Sequence, residues 1–163
     1  MYRKTDTTLL LGGNIGDTAG LLAEARGLIE ARIGRIARQS ALYGSEAWGF
    51  EAGQDFINQA IVASTPLPPH EVLRHALQIE AELGRTRNGR GYSDRTMDID
   101  IIFYGDRVID EPQLVVPHPR LHLRNFVLVP LCEIMPDFAH PVLGKTISQL
   151  LDECPDKGKT WKF

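Results

Sequence analysis

The sequence has few cysteines, no long apolar run and little excess charge of either sign. Its 163 residues include two cysteines, Cys132 and Cys154, with no CxxC pair. Two thiols are too few for a disulfide framework or a zinc cage, so we expect both to stay reduced. No stretch approaches the ~20 apolar residues of a membrane span, and the apolar run near the N-terminus is too short for a signal peptide. We therefore expect a cytoplasmic protein.

The overall composition is that of an ordinary folded domain. Hydrophobic residues make up 43% of the chain and charged residues 24%, with a formal net charge of -3. A mildly acidic chain is a poor candidate for duplex DNA or an anionic membrane, because neutralising phosphates requires a basic face. We expect a single domain over residues 1–163, monomeric, with no nucleic-acid or membrane partner.

Hydrophobic periodicity predicts alternating strands and helices over the first two thirds of the chain. Short apolar runs bounded by glycine predict strands, and apolar residues at helical spacing predict helices. Asp17 is the predicted N-cap of the first helix, and Gly84 is the predicted end of the second. The predicted strands are 7–11, 36–43, 56–64 and 97–104, with helices over 17–33, from the proline run 66–69 to residue 84, and over 147–151.

This order, βαββαβ, is that of the split βαβ or ferredoxin-like arrangement. We therefore expect an α+β fold with a mainly antiparallel sheet, helices packed on one face, and a C-terminal extension. The other face would be covered by loops or by substrate. The glycine-rich segments 44–55 and 84–96 are predicted loops, and Gly12 and Gly13 are predicted to form a tight turn.

Two acids on the last predicted strand point to metal chemistry. Asp98 and Asp100 share a strand face about 6.6 Å apart, at a rise of about 3.3 Å per residue, opposite the apolar Met97 and Ile99. Carboxylates so placed repel each other unless a cation lies between them or one is protonated. Mg²⁺ prefers such oxygen ligands and commonly also binds substrate phosphates. Taken alone, the pair could equally be two solvated acids at a strand edge.

An arginine-rich segment precedes these acids directly. Residues 85–95 contain four arginines and one aspartate, although the whole chain is acidic. The planar guanidinium binds phosphate oxygens bidentately and stays charged at any relevant pH. Cationic and anionic groups in adjacent segments favour phosphoryl transfer from a nucleotide with Mg²⁺. The alternative is a solvated basic loop paired with nearby acids.

Five motifs are spread over about residues 9–130 of the chain. They are Leu11-Gly12-Gly13-Asn14, Phe56-Ile57-Asn58, Gly84-Arg85-Thr86-Arg87, Tyr92-Ser93-Asp94-Arg95-Thr96-Met97-Asp98-Ile99-Asp100, and Val116-Pro117-His118-Pro119-Arg120 followed by Arg124-Asn125-Phe126. In their residues, order and spacing they resemble one enzyme family, 6-hydroxymethyl-7,8-dihydropterin pyrophosphokinase of folate biosynthesis.

The resemblance implies transfer of pyrophosphate from ATP to the pterin hydroxymethyl group, with release of AMP. It implies that Asp98 and Asp100 bind two Mg²⁺ ions and that Arg95 serves catalysis. The ATP site implied by the resemblance comprises Glu80, Arg85, Arg87, Arg95, Ile101, His118 and Arg124. The implied pterin site comprises Ser45, Trp48, Phe56, Asn58, Tyr92 and Phe126, with the two phenylalanines on either side of the ring.

Three positions depart from the family pattern. The segment after Ser45 lacks the prolines that members often place there, Tyr92 replaces a tryptophan, and Gly13 replaces a serine. Two other classes stay open: a ferredoxin-like module that binds nucleotide without turnover, and a platform for single-stranded RNA. The acidic total and the aspartates on the sheet disfavour the RNA platform.

Overall fold

Six strands form one mainly antiparallel sheet, and a further hairpin lies beside it. We describe residues 3–14, 16–46, 56–87 and 97–163 of a computed structural model, without the side chains of residues 85–87. Among these residues, no helix has the length and apolar character needed to cross a membrane. The strands are Thr5–Gly13 (β1), Arg35–Gln39 (β2), Tyr43–Ser45 (β3), Phe56–Thr65 (β4), Met97–Tyr104 (β5), Ile109–Glu111 (β6), Leu114–Val116 (β7) and Thr160–Lys162 (β8); the helices are Thr18–Arg32 (α1), Pro69–Arg87 (α2), Asn125–Ile134 (α3) and Ile147–Glu153 (α4), with a 3₁₀ turn at Leu121–Leu123.

The ferredoxin-like fold is confirmed. The strand order is β5-β1-β4-β3-β8, with β2 also paired to β4. β1 is antiparallel to both β4 and β5, so β1 and β4 are the two inner strands of the βαββαβ unit. The predicted N-cap is also correct, since the Asp17 carboxylate accepts a hydrogen bond from the backbone N–H of Gly20.

Helices cover both faces of the sheet, which corrects the expectation of helices on one face only. Helices α1 and α2 pack on the face that carries Leu9, Leu11 and Ile61. Helices α3 and α4 pack on the other face, but only over the half that contains Ala60 and Phe103. The remaining half of this second face, at the end of the sheet where β5 begins, lies beside a cleft.

Several predicted element boundaries differ from the structure, and two of the differences concern residues 36–43 and Gly84. The strand expected over 36–43 is divided into β2 and β3, because Ser40 interrupts the ladder and its hydroxyl accepts from the N–H of Ala60. Helix α2 continues past Gly84 to Arg87, since an interior glycine costs a helix only about 1 kcal/mol. Arg85 and Arg87 therefore belong to the helix rather than to the predicted loop.

Candidate active-site cleft

A cleft of about 710 Å³ lies beside the uncovered half of the second sheet face. Three adjacent strands form its floor, because Gly12 of β1 lies opposite Asn58 of β4 on one side and Asp98 of β5 on the other. Its walls come from the segments around β3, the start of α3 and the C-terminal segment. The lining residues are Leu10, Gly12, Ser45, Glu46, Phe56, Asn58, Asp98, Asp100, Arg120, Leu123, Arg124, Phe126, Pro155 and Asp156.

The two acids of β5 lie on the cleft side of the strand. Asp98 and Asp100 both line the cleft. Met97, which precedes them, and Ile99, which lies between them, are buried in the core beneath α1 and α2. The common face predicted from the strand alternation is therefore confirmed. Burial raises the pKa of Asp100, and the positive charge of Arg124 partly opposes that shift. The Asp100 carboxylate thus lies in a partly desolvated position, beside Asp98, where a cation would be attracted.

Gly12 leaves the floor of the cleft without a side chain. The predicted tight turn at Gly12 and Gly13 is wrong, because both residues belong to β1. A Cβ atom at Gly12 would lie 2.5 Å from Oδ1 of Asn58, so a side chain there would collide with the carboxamide. Asn58 is 5% exposed, and its Nδ2 donates to Oγ of Ser45 at 3.2 Å. The Asn58 amide is therefore held in one orientation beside open space.

A basic wall faces the acids. Arg124 is the N-cap of α3, and its guanidinium carbon lies 5.8 Å from the centre of the Phe126 ring. Arg120 lines the same wall. Since guanidinium groups stay charged and bind phosphate oxygens in a fixed fork, this wall is suited to an anionic substrate beside an aromatic ring.

His118 lies near this wall, although it is not among the residues that line the cleft. The backbone N–H of His118 donates to the backbone carbonyl of Ile102. The ring Nδ1 accepts from the backbone N–H of Arg120 at 3.2 Å. Burial lowers the pKa of His118, and the nearby Arg124 and Arg120 lower it further. The ring is therefore neutral near pH 7 with its proton on Nε2, which makes Nε2 a hydrogen-bond donor.

Glu80 lies on α2 against the edge of β5, outside the cleft lining. Its Oε2 accepts from the N–H of Ile99 at 2.6 Å. Burial raises its pKa to about 7, and the neighbouring charges of Asp98 and Asp100 act in the same direction, against the hydrogen bond from Ile99. Near neutral pH, in the absence of bound cations, the carboxyl group is therefore about half protonated.

The raised pKa predicts a pH dependence of stability. Between the ordinary value of 4.5 and about 7, the folded protein binds more protons at Glu80 than the unfolded chain. The free energy of unfolding should therefore fall as the pH rises through this window, by about 1–2 kcal/mol after allowance for partial exposure. Glu80→Gln should remove this slope in denaturant titrations of the ligand-free protein.

A matched control is available for this measurement. Glu30 also accepts a hydrogen bond from a backbone N–H, that of Ile36, but it is exposed. Glu30→Gln should leave the slope unchanged. An equal slope in the wild type and in Glu80→Gln would contradict the assignment.

The structure brings together seven of the predicted site residues and separates others from them. Glu80 and His118 lie nearby outside the lining, and the side chain of Ile101 is in the core at 6% exposure. Trp48, Tyr92 and Arg95 lie outside the described residues, as do the side chains of Arg85 and Arg87. The seven that line the cleft are Ser45, Phe56, Asn58, Asp98, Asp100, Arg124 and Phe126.

Sequence reasoning missed several lining residues. Arg120 belongs to a motif that was recognised, and Gly12 could have been found because it is the strand neighbour of Asp98. Glu46 directly follows the predicted site residue Ser45, whereas Pro155 and Asp156 carry no signal of their own, because only tertiary contacts bring the C-terminal segment to the cleft.

The ferredoxin-like fold carries a cleft whose lining includes two arginines, two phenylalanines and the paired acids Asp98 and Asp100, a set suited to binding a phosphorylated substrate. A model of the 7,8-dihydro-6-hydroxymethylpterin-pyrophosphokinase (HPPK) family matches residues 8–136. The chain belongs to this family.

Named relatives agree with this assignment. The chain is 42% identical over 144 residues to the 2-amino-4-hydroxy-6-hydroxymethyldihydropteridine pyrophosphokinase of Synechocystis sp., covering 88% of this chain and 73% of that protein. It is 39% identical over 136 residues to the enzyme of the same name from Porphyromonas gingivalis, covering 82% and 92%. The Bacillus subtilis enzyme of this name is 41% identical over 127 residues, covering 77% and 75%.

Solved structures agree in fold. The Plasmodium falciparum HPPK-DHPS crystal structure with pterin and p-hydroxybenzoate superimposes with a TM-score of 0.74 over 94% of this chain, at 19% identity. The A437G variant of that protein, solved with SDX-DHP, gives a TM-score of 0.76. This chain spans less than half of those solved chains, 43% and 46% respectively, so the likeness concerns the fold of one part of them.

Proposed function

We propose that this cleft transfers pyrophosphate from ATP to the hydroxymethyl group of 6-hydroxymethyl-7,8-dihydropterin, with release of AMP, in folate biosynthesis. The family match and relatives that are about 40% identical over most of their length support the activity. The alternative of a nucleotide-binding module without turnover has no support from these matches. The observation that carries the proposal is that Asp98, Asp100 and Arg124 line the same cleft as Asn58 and Phe126.

Asp98 and Asp100 suit Mg²⁺ as the metal of this site. Both supply carboxylate oxygens, and the described part of the chain contains no cluster of three or more histidine, cysteine or acidic side chains placed to hold an ion. Mg²⁺ commonly takes one or two carboxylates and fills its other positions with water and substrate phosphates. We propose that the two aspartates hold two Mg²⁺ ions together with the triphosphate. When bound, the ions neutralise phosphate charge and stabilise the attacking and leaving oxygens.

The remaining residues bind and orient the substrates. Arg124, in the basic wall, and His118, which lies beside it and carries its ring proton on Nε2, would donate to phosphate oxygens of ATP. Phe56 and Phe126 would hold the flat pterin ring between their faces, and Asn58 would read its hydrogen-bonding edge. Arg85, Arg87, Arg95, Glu80 and Ile101 stay predictions for the ATP side, and Ser45, Trp48 and Tyr92 for the pterin side.

The reaction requires little covalent chemistry from the protein. The pterin hydroxyl oxygen forms a bond to the β-phosphorus as the bond from that phosphorus to the α,β-bridging oxygen breaks, and AMP leaves. One of the two aspartates accepts the hydroxyl proton. Binding in line and stabilisation of charge supply most of the acceleration in such reactions.

The proposal is tested by measuring AMP release. The purified chain should produce AMP only when ATP, Mg²⁺ and hydroxymethyl-dihydropterin are all present. ATP alone should give no AMP above background, which is the control for contaminating hydrolases. Tight ATP binding without pterin-dependent AMP would instead support the binding module.

A further inference from the structure

The C-terminal segment 155–162 lies outside the span matched by the family model, which ends at residue 136. Two of its residues, Pro155 and Asp156, nevertheless line the cleft. The segment contacts the cleft wall formed by α3 at one end and the wall formed by β3 at the other.

The first contact is to the N-terminus of α3. Asp156 accepts from the backbone N–H of Asn125 at 3.1 Å through Oδ2 and from the N–H of Gly158 at 2.8 Å through Oδ1. The Asn125 side chain in turn donates to the carbonyl of Gly158. Asn125 lies between Arg124 and Phe126, so these bonds hold the turn that carries both proposed substrate contacts. They also satisfy a helix N–H that has no partner within the helix.

The second contact is to β3. Strand β8 pairs with β3, with Thr160 opposite Ser45, and the N–H of Lys159 donates to Glu46 at 3.3 Å. Ser45 in turn lies opposite Phe56 in the pairing of β3 with β4. The segment is thus connected through one strand to the second aromatic residue of the cleft.

The indole of Trp161 anchors β8 on this side. It lies over Gly44, the residue opposite it on β3, and a Cβ atom at Gly44 would be 2.4 Å from its Nε1. An aromatic side chain that covers a cross-strand glycine stabilises the pairing of the two strands.

We propose that residues 155–162 tie the two walls of the cleft together and fix the spacing between Phe56 and Phe126, so that the C-terminal segment is a positioning element for the pterin. This inference rests on the proposed function. Phe126 belongs to the first turn of α3 and is half-buried against the core that contains Val127 and Leu128. The core therefore holds this turn through the Phe126 side chain, and the segment holds it through Asn125. A pterin ring bound between two phenylalanine rings requires both of them to be held within about 0.5 Å of the positions that fit it.

The test removes the contacts of the segment with each wall. Asn125→Ala removes the side-chain contacts of α3 with the Gly158 carbonyl and with the hydroxyl of Thr160, which donates to Asn125 Oδ1 at 3.5 Å. A chain shortened to end at Gly158 removes β8, and with it the pairing with β3 and the Thr160 contact. Lys157→Ala, an exposed change within the same segment and outside these contacts, is the control. For each protein we would measure the dissociation constant of hydroxymethyl-dihydropterin with Mg²⁺ and a non-hydrolysable ATP analogue, that of the analogue alone, and the melting temperature.

Each break should weaken pterin binding by about tenfold and change binding of the ATP analogue by less than about twofold. The combined variant should bind the pterin no more weakly than the weaker-binding single variant. Once the segment is detached from one wall, detaching it from the other should have little further effect on that binding. Lys157→Ala should bind like the wild type. If the shortened chain does not fold, Asn125→Ala alone decides the result.

Unchanged pterin binding in both variants would overturn the proposal. Equal weakening of pterin and ATP binding together with a lower melting temperature would do so as well. A combined variant that weakens pterin binding by the product of the two single effects, about a hundredfold, would also contradict it. Failure of the proposed function is seen separately, as wild-type protein that releases no pterin-dependent AMP.

Discussion

Asp98→Ala is expected to lower the rate of AMP release by at least about 1,000-fold, equivalent to ~4 kcal/mol of transition-state stabilisation. The reason is that Asp98 and Asp100 supply the proposed metal ligands in the cleft, and the reaction depends on neutralising phosphate charge there. The rate is measured at saturating ATP and pterin over a range of Mg²⁺ concentrations. Excess Mg²⁺ should not restore it, because the missing group is a ligand rather than the ion.

The same substitution should leave the fold intact. Asp98 lies on the cleft side of β5 and is exposed, so its side chain is not part of the core. The variant should therefore still unfold cooperatively in a denaturant titration without metal. Asp110→Ala, which removes an exposed acid from β6, is the matched control and should be fully active. A near-normal rate in Asp98→Ala would exclude the two-metal role.

Asn58→Ala is expected to raise the KM for the pterin by about 10–100-fold, with a much smaller effect on the binding of ATP. The amide is buried and fixed by its hydrogen bond to Ser45, so its other polar atoms are oriented before any ligand arrives. A site built around such a group loses about 1–3 kcal/mol when one partner of a buried hydrogen bond is removed. Steady-state kinetics with each substrate varied in turn separate the two constants.

Gln39→Ala is the corresponding control, because Gln39 also carries an amide on a strand paired with β4 but is exposed. Its KM for the pterin should match that of the wild type. If Asn58→Ala raised the KM for ATP as much as that for the pterin, Asn58 would act on the general shape of the cleft rather than on the pterin edge.

The sequence predicts the architecture because each element of the βαββαβ unit carries its own periodic pattern. The prediction of element boundaries fails where a single residue is compatible with two local structures. Ser40 fits a strand by its neighbours, yet its hydroxyl competes with the ladder and divides β2 from β3. Gly84 is a frequent helix end, but space around it in α2 is open and the helix continues.

Site residues are predictable from sequence where their placement depends only on neighbours in the same strand. Strand alternation alone places Asp98 and Asp100 on one face, and it also places Ile101 on the other, where the structure has it in the core. Asp156 could not be found from sequence, since only tertiary contacts bring it to α3.

Gly12 has a consequence for how this enzyme can vary. Because the carboxamide of Asn58 already occupies the place where a side-chain carbon at Gly12 would go, a larger residue at position 12 would displace Asn58 as well as narrow the cleft. Substitutions that exclude an inhibitor while sparing the natural substrate should therefore arise at other lining positions, such as Leu123 or Pro155, and not at Gly12.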